Sequence, residues 1–226
     1  MTAAPRIFVV HALQASLAPV ARAFAAGWPA AAVCNLMDDS LSADRAADAA
    51  VDFAPRFRAL ARYCADNGAD GILFACSAFN AEIDACRRHM KLPVLKPDEA
   101  MIEAALDRGR RLAVIATFEP SIASLKGQIL DMAAARGVAA EVEGIFVAGA
   151  MDALKSGDGK AHDARIAAAA ATVTDADALL LSQFSMARAE KAAAAVTPVP
   201  VLSSPANAVA KLRRLCLNGF NGVRLH

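Results

Sequence analysis

Short apolar runs with β-branched or aromatic residues alternate along this chain with longer segments rich in Ala, Leu, Arg and Glu. That alternation is the pattern of parallel strands joined by crossover helices, and it predicts an α/β fold. In the first half, strands are expected near Arg6 to Val10, Ala31 to Leu36, Gly71 to Ala75 and Val94 to Leu95. In the second they fall near Leu112 to Ala116, Glu141 to Phe146, Ala178 to Leu181 and Val199 to Leu202. Helices fill the gaps. One of them, from about Ser42 to Asn67, is long, and Pro55 should kink or divide it. Asn67-Gly68 reads as its C-terminal stop. The segment KSGDGKAHD, Lys155 to Asp163, is the most loop-like. A last helix near Asn207 to Leu217 follows Pro205 and is expected to pack back on the first half.

The chain also repeats itself. Ala69 to Phe79 lies over Ala176 to Met186 at a constant offset of 107 (183 − 76), which sets Gln183 on Cys76. The same offset carries Pro93-Val94-Leu95 onto Pro200-Val201-Leu202. A looser match at an offset of 105 puts Arg6 to Val10 on Arg111 to Ile115 and Ser16 on Ser121. Two copies of one half-length unit are therefore expected: a discontinuous first domain, residues 1–97 plus 205–226, and a second, residues 98–204.

Composition narrows the class. Of the 226 residues 57% are apolar, a share inflated by alanine, and the core is still sizeable. No run of about 18 apolar residues free of charge occurs, so no membrane-spanning helix is expected. The stretch IFVVHALQ is short, carries His11 and Gln14, and makes a poor secretory signal, so a cytoplasmic protein is expected. Five cysteines without a CxxC pair argue for reduced thiols and against a disulfide frame or structural zinc. The formal charge of +1 comes from interspersed signs, which speaks against nucleic acid and anionic membrane as partners.

In parallel α/β sheets the ligand crevice lies beyond the carboxyl ends of the strands. Cys76 falls where a strand turns into a helix, so the helix dipole lowers its pKa and the N–H groups of Ser77, Ala78 and Phe79 offer an anion site. The competing reading makes it one more small buried thiol. His11, at the mouth of the first strand, is either a base or a hydrogen-bonded structural residue. Asp38 and Asp39 read as a turn and helix start near Ser40 and Ser42, with Asn35 or Asp39 open to line the crevice. Ser121 and Ser185 fit helix caps or ligand contacts; Phe79, Phe118 and Phe184 fit a pocket wall or the core. Cys34, Cys64, Cys86 and Cys216 are expected to be packing residues, and His89, His162 and His226 solvated.

The motifs LFACSAF, LLSQFSM and LAVIATFEPS (Leu112 to Ser121) resemble the aspartate/glutamate/hydantoin racemase superfamily, which also includes arylmalonate decarboxylase and maleate isomerase. The resemblance covers nearly the whole chain. It implies two pseudosymmetric α/β domains with the active site in the cleft between them, no metal or organic cofactor, and homo-oligomeric assembly. It also implies catalysis by cysteine at the α-carbon of an amino acid or related small carboxylate. Carried over by position, Cys76 matches the first catalytic cysteine and Ser77 the polar residue of the anion pocket. Thr117 matches the threonine that helps hold the substrate carboxylate, and Phe118 follows it. Gln183 stands where the second cysteine would be.

That last position departs from the pattern. A carboxamide does not exchange a proton at any accessible pH, and a general acid or base must. Three readings stay open: a racemase or epimerase using Cys76, with a group such as His11 replacing the second thiol; a single-cysteine decarboxylase or other lyase acting on malonate-type acids; and a non-catalytic binder of small acids. A hydrolase is disfavoured by the absence of a GxSxG elbow, and a dinucleotide or phosphate-loop enzyme by strand-to-helix turns poor in glycine.

Overall fold

The computed structural model, which describes residues 4–48 and 50–218, turns the apolar runs into two parallel sheets. The chain divides into two units, Met1–Pro97 with Ala208–His226, and Asp98–Asn207. The first contains β1 (Arg6–His11), α1 (Leu17–Gly27), β2 (Ala32–Met37), α2 (Ser40–Ala47), α3 (Ala54–Asp66), β3 (Gly71–Phe74), α4 (Asn80–Arg87) and β4 (Val94–Leu95). The second contains α5 (Glu99–Leu106), β5 (Arg111–Ala116), α6 (Pro120–Ala135), β6 (Glu141–Phe146), α7 (Ala150–Lys155), α8 (Gly159–Ala171), β7 (Ala178–Leu181), α9 (Glu190–Ala194) and β8 (Val201–Ser203). The last helix, α10 (Ser204–Leu217), starts in the second unit and continues in the first.

Both sheets follow one plan. Strand order is β2-β1-β3-β4 in the first and β6-β5-β7-β8 in the second, and all neighbours are parallel. The inner strands β3 (GILF) and β7 (ALLL) are buried throughout, as continuous apolar runs covered on both faces must be. The edge strands β2 and β6 are more exposed and carry Asn35, Glu141 and Glu143. Along β5 the faces alternate: Ala113 and Ile115 join one apolar cluster with Ile166 and Ala170, while Leu112 and Val114 join another with Leu125 and Ile129.

The repeat has a physical counterpart. Asp70 Oδ2 accepts the Arg6 N–H at 2.7 Å, and Asp177 Oδ2, at the matching place in the second unit, accepts the N–H groups of Arg111 at 2.9 Å and Arg110 at 2.7 Å. These backbone donors hold the Asp177 carboxyl below its ordinary range. Each carboxylate thus pins the start of a central strand to the turn that enters its neighbour.

Pro55 divides the long helical segment. It sits in the first turn of α3, where a missing N–H leaves no bond unmade, and Gly68, at φ 76°, ends that helix in the left-handed conformation. At the start of β3, a Cβ on Gly71 would lie 2.9 Å from Leu212 Cδ1 and 3.0 Å from Cys216 Sγ, so the glycine lets α10 lie against the first sheet. That helix begins at Ser204, three residues before the expected start, because Pro205 suits a first turn. The preceding strand, expected from Val199, begins at Val201.

Two expectations fail around residue 160. Only a short turn separates α7 from α8: Asp158 Oδ1 accepts the Ala161 N–H at 2.9 Å and caps α8, so most of the supposed loop is helix. His162, expected in solvent, is fully buried with Ile166 and Ala170, one turn apart on the same stripe, and its Nδ1 meets Asp163 Oδ1 at 2.8 Å. His89 is exposed as expected, and His226 lies outside the described residues. Cys64 and Cys86 are buried, with burial pushing their thiols up to about 12 and about 11. Cys34 and Cys216 are half-buried.

Candidate active site

The first unit presents Cys76 just past the carboxyl end of β3. Its backbone is extended (φ −145°, ψ 118°), and the chain then makes a single 3-10 turn, Ser77–Phe79, before α4 begins. The regular helix therefore starts four residues after the thiol, later than the sequence suggested. Cys76 is half-buried and packs against the apolar cluster of its unit, and Ser77 and Ala78 are exposed. Asn80 Nδ2 donates to Ser77 O at 2.9 Å and holds the turn closed.

Phe79 is fixed in the core. It is fully buried, 4.9 Å from the Phe57 ring and 5.3 Å from the Phe53 ring, with the Arg45 guanidinium 4.7 Å above it. Of the two roles open to it in the sequence, the structure gives it packing. Its contribution to the site is indirect, as an anchor three residues after the sulfur.

The second unit carries the matching turn at Gln183 (φ −125°, ψ 146°), which precedes the 3-10 segment Phe184–Ala189. Here the side chain is held from several directions. Gln183 Oε1 accepts from Thr117 N at 3.0 Å, from Thr117 Oγ1 at 3.2 Å and from Ser182 Oγ at 3.2 Å. Three donors converging on one oxygen form a nest that the amide itself fills. They also fix the amide so that Nε2, whose one protein partner among the described residues is Ser121 Oγ at 3.4 Å, keeps an N–H for another acceptor. Around this nest Phe184 is buried, Ser185 is half-buried, and Phe118 stands 58% exposed. Neither serine is an N-cap: Ser121 lies inside α6 and Ser185 inside the 3-10 segment.

The model of the Asp/Glu/hydantoin racemase family matches residues 10–212. The chain belongs to this family. No curated protein matches it in sequence, but solved structures share its fold. Allantoin racemase from Klebsiella pneumoniae is 19% identical, with a TM-score of 0.69 over 95% of this chain and 89% of that one. Aspartate racemase from Picrophilus torridus is 13% identical, with a TM-score of 0.69 over 94% of each chain. A liganded double mutant of arylmalonate decarboxylase, in which a glycine is replaced by cysteine and a cysteine by serine, is 19% identical, with a TM-score of 0.61 over 95% and 94%. The two four-stranded parallel sheets with their helices are thus the α/β fold of this racemase family.

Within this family member, His11 ends β1 but is fully buried. Its Nδ1 lies 2.6 Å from Ser16 Oγ and its Nε2 3.0 Å from Asn35 Oδ1, so both ring nitrogens are engaged and the ring ties the loop after β1 to the exposed Asn35 on β2. Burial lowers its pKa, partly offset by the bond to Asn35. A lowered folded-state pKa means that the stability owed to the neutral ring is whole above the unfolded value of about 6.5 and is lost as pH falls below it. Urea titrations should therefore show stability dropping between about pH 6.5 and 5.5, by up to ~1.4 kcal/mol per pH unit for this one proton. The drop should shrink in His11→Gln; an identical slope in both proteins would rule out a buried neutral ring.

Asp38 takes the Arg56 guanidinium, with Arg56 Nε at 2.8 Å, and Ser40 Oγ donates to it at 3.0 Å, so it braces α2 against α3. Asp39 occupies the N-cap of α2 with no side-chain bond to the helix. Among the described residues no cluster of three or more His, Cys, Asp or Glu is placed to hold a metal, and no helix is long and apolar enough to cross a membrane. Sequence reasoning missed Ser182, Asn80 and Ser16. Ser182 adjoins the singled-out Gln183, but its counterpart in the repeat is Ala75, so the offset gave no sign that it would donate to the amide.

Proposed function

We propose that this racemase-family chain is a cofactor-independent enzyme that moves a proton on one face only of a carbon next to a carboxylate. Cys76 is the proton carrier, and Gln183 is a fixed hydrogen-bond donor where two-thiol members have a second one. The observation that carries the reading is the three-donor grip on Gln183 Oε1. An amide so held neither takes nor gives a proton, but its N–H can stabilise negative charge developing on a bound carboxylate or enolate. His11, buried and bonded at both nitrogens, carries no proton in this scheme.

One-sided proton delivery matches the decarboxylation of a malonate-type acid. The bond from the α-carbon to one carboxylate breaks, carbon dioxide leaves with the carboxyl carbon, and the electron pair forms an enolate on the remaining carboxylate. The enolate carbon then takes the proton of the Cys76 thiol, and solvent reprotonates the sulfur. Exposed Ser77 and the Ser121 hydroxyl beside Gln183 suit the carboxylate oxygens, with Phe118 and Phe184 flanking an apolar substituent.

Racemisation of an amino acid is the second reading, and family membership favours it. One experiment separates the two. The protein is incubated in deuterium oxide with methylmalonate or phenylmalonate, and separately with a panel of amino and hydroxy acids. We expect carbon dioxide and a monoacid carrying one deuterium in a single configuration. Exchange of the Cα proton with loss of chirality in an amino acid, without carbon dioxide from either malonate, would replace this reading with racemisation.

A further inference from the structure

The first unit has a concavity that does not include Cys76. A groove of about 640 Å³ runs between α3 and the turn after α4, inside the range of about 300–1,000 Å³ usual for small-molecule sites. Arg58 and Arg62 line one wall, four residues apart and therefore on one face of α3. His89 and Lys91 line the other, and the apolar parts of the lining come from Ala65, Met90, Leu92 and the buried Cys86. Met90 and Leu92 pack against the core of the unit, so this surface is anchored.

The charge is one-sided. No carboxylate lines the groove, and none of its four basic side chains forms an ion pair among the described residues. The acids of α4 are committed elsewhere: Asp84 to Lys96 and Arg87, and Glu82 to Arg45. In a chain of 24 basic and 23 acidic residues, so local an excess of one sign is a departure.

Topology places the groove away from the candidate active site. The carboxyl end of α3 leads into the start of β3, and the turn after α4 leads into the start of β4. Ile72 N donates to Pro93 O at 2.8 Å, which pairs those two strand starts. Cys76 follows the other end of β3. A ligand in the groove therefore sits between α3 and the turn after α4, toward the rim where strands begin, and does not compete for the thiol.

We infer that this groove is a second binding site, for an organic anion with one phosphate or carboxylate head and a small apolar body. The two guanidinium forks and the Lys91 ammonium match the head, and Met90 and Leu92 match the body.

Calorimetric titration of the full chain with phenyl phosphate and with inorganic phosphate tests it. Phenyl phosphate should bind one to one, about tenfold more tightly than inorganic phosphate, and weaken as salt is raised. Arg58→Ala/Arg62→Ala should lose tenfold or more in affinity with an unchanged melting temperature, and Lys91→Ala, on the opposite wall, several-fold. Cys76→Ala should bind as the parent does, which separates this site from the proposed chemistry. Absence of saturable binding, equal affinity for the two phosphates, or full affinity in the double variant would each overturn the inference.

Discussion

Replacing Cys76 by serine is expected to slow turnover about a thousandfold and to leave the fold intact. The size follows from the role: a positioned acid or base contributes roughly 10²–10⁴ in rate, and a serine hydroxyl holds its proton far too tightly near neutral pH to substitute for a thiol. The fold should survive because Cys76 is half-buried and sits outside the regular strand, and oxygen for sulfur is a small change there. Initial rates on the substrate identified by the deuterium experiment, with circular dichroism as the control for folding, give the answer. A rate within tenfold of the parent would remove the sulfur from the chemistry and with it the proposed function.

Truncating Phe57 to alanine should cost about 3–5 kcal/mol of stability, the range for emptying a buried aromatic site. Phe57 is 2% exposed, its ring lies 5.2 Å from Phe74 and 4.9 Å from Phe79, and Phe53 closes the group from beyond Phe79. Against a usual total of about 5–15 kcal/mol, the loss should pull the urea midpoint far down or leave little folded protein at 37 °C. Phe57→Leu, which fills most of the space, keeps the prediction testable if the alanine variant does not fold. Because Phe79 ends the turn that begins after Cys76, the leucine variant should also lower turnover modestly. A midpoint shift worth under about 1 kcal/mol in Phe57→Ala would mean that the aromatic group is not packed as described.

Much of the fold was legible because buried parallel strands must be apolar on both faces, and runs such as GILF and ALLL have little choice of structure. The paired turns were legible for a related reason: two copies of one unit, compared residue by residue, expose the position where one copy has a thiol and the other a carboxamide. What the sequence hid was whatever depends on a partner distant along the chain. Thr117 and Gln183 are 66 residues apart, and nothing in either motif says that a backbone N–H and two hydroxyls will close on the amide oxygen. The engagement of His11 by Asn35, 24 residues further on, was hidden in the same way. The segment around Asp158 misled for a different cause. Its Ser and Gly content outweighed two local signals that were present, an aspartate at a capping position and the one-turn spacing of His162, Ile166 and Ala170.

Asp70 and Asp177 clasp the rim where strands begin, whereas Cys76 and Gln183 follow strand ends. The groups that secure the two sheets and the groups offered to chemistry therefore sit at opposite ends of the strands, so a change at position 76 or 183 leaves both clasps in place.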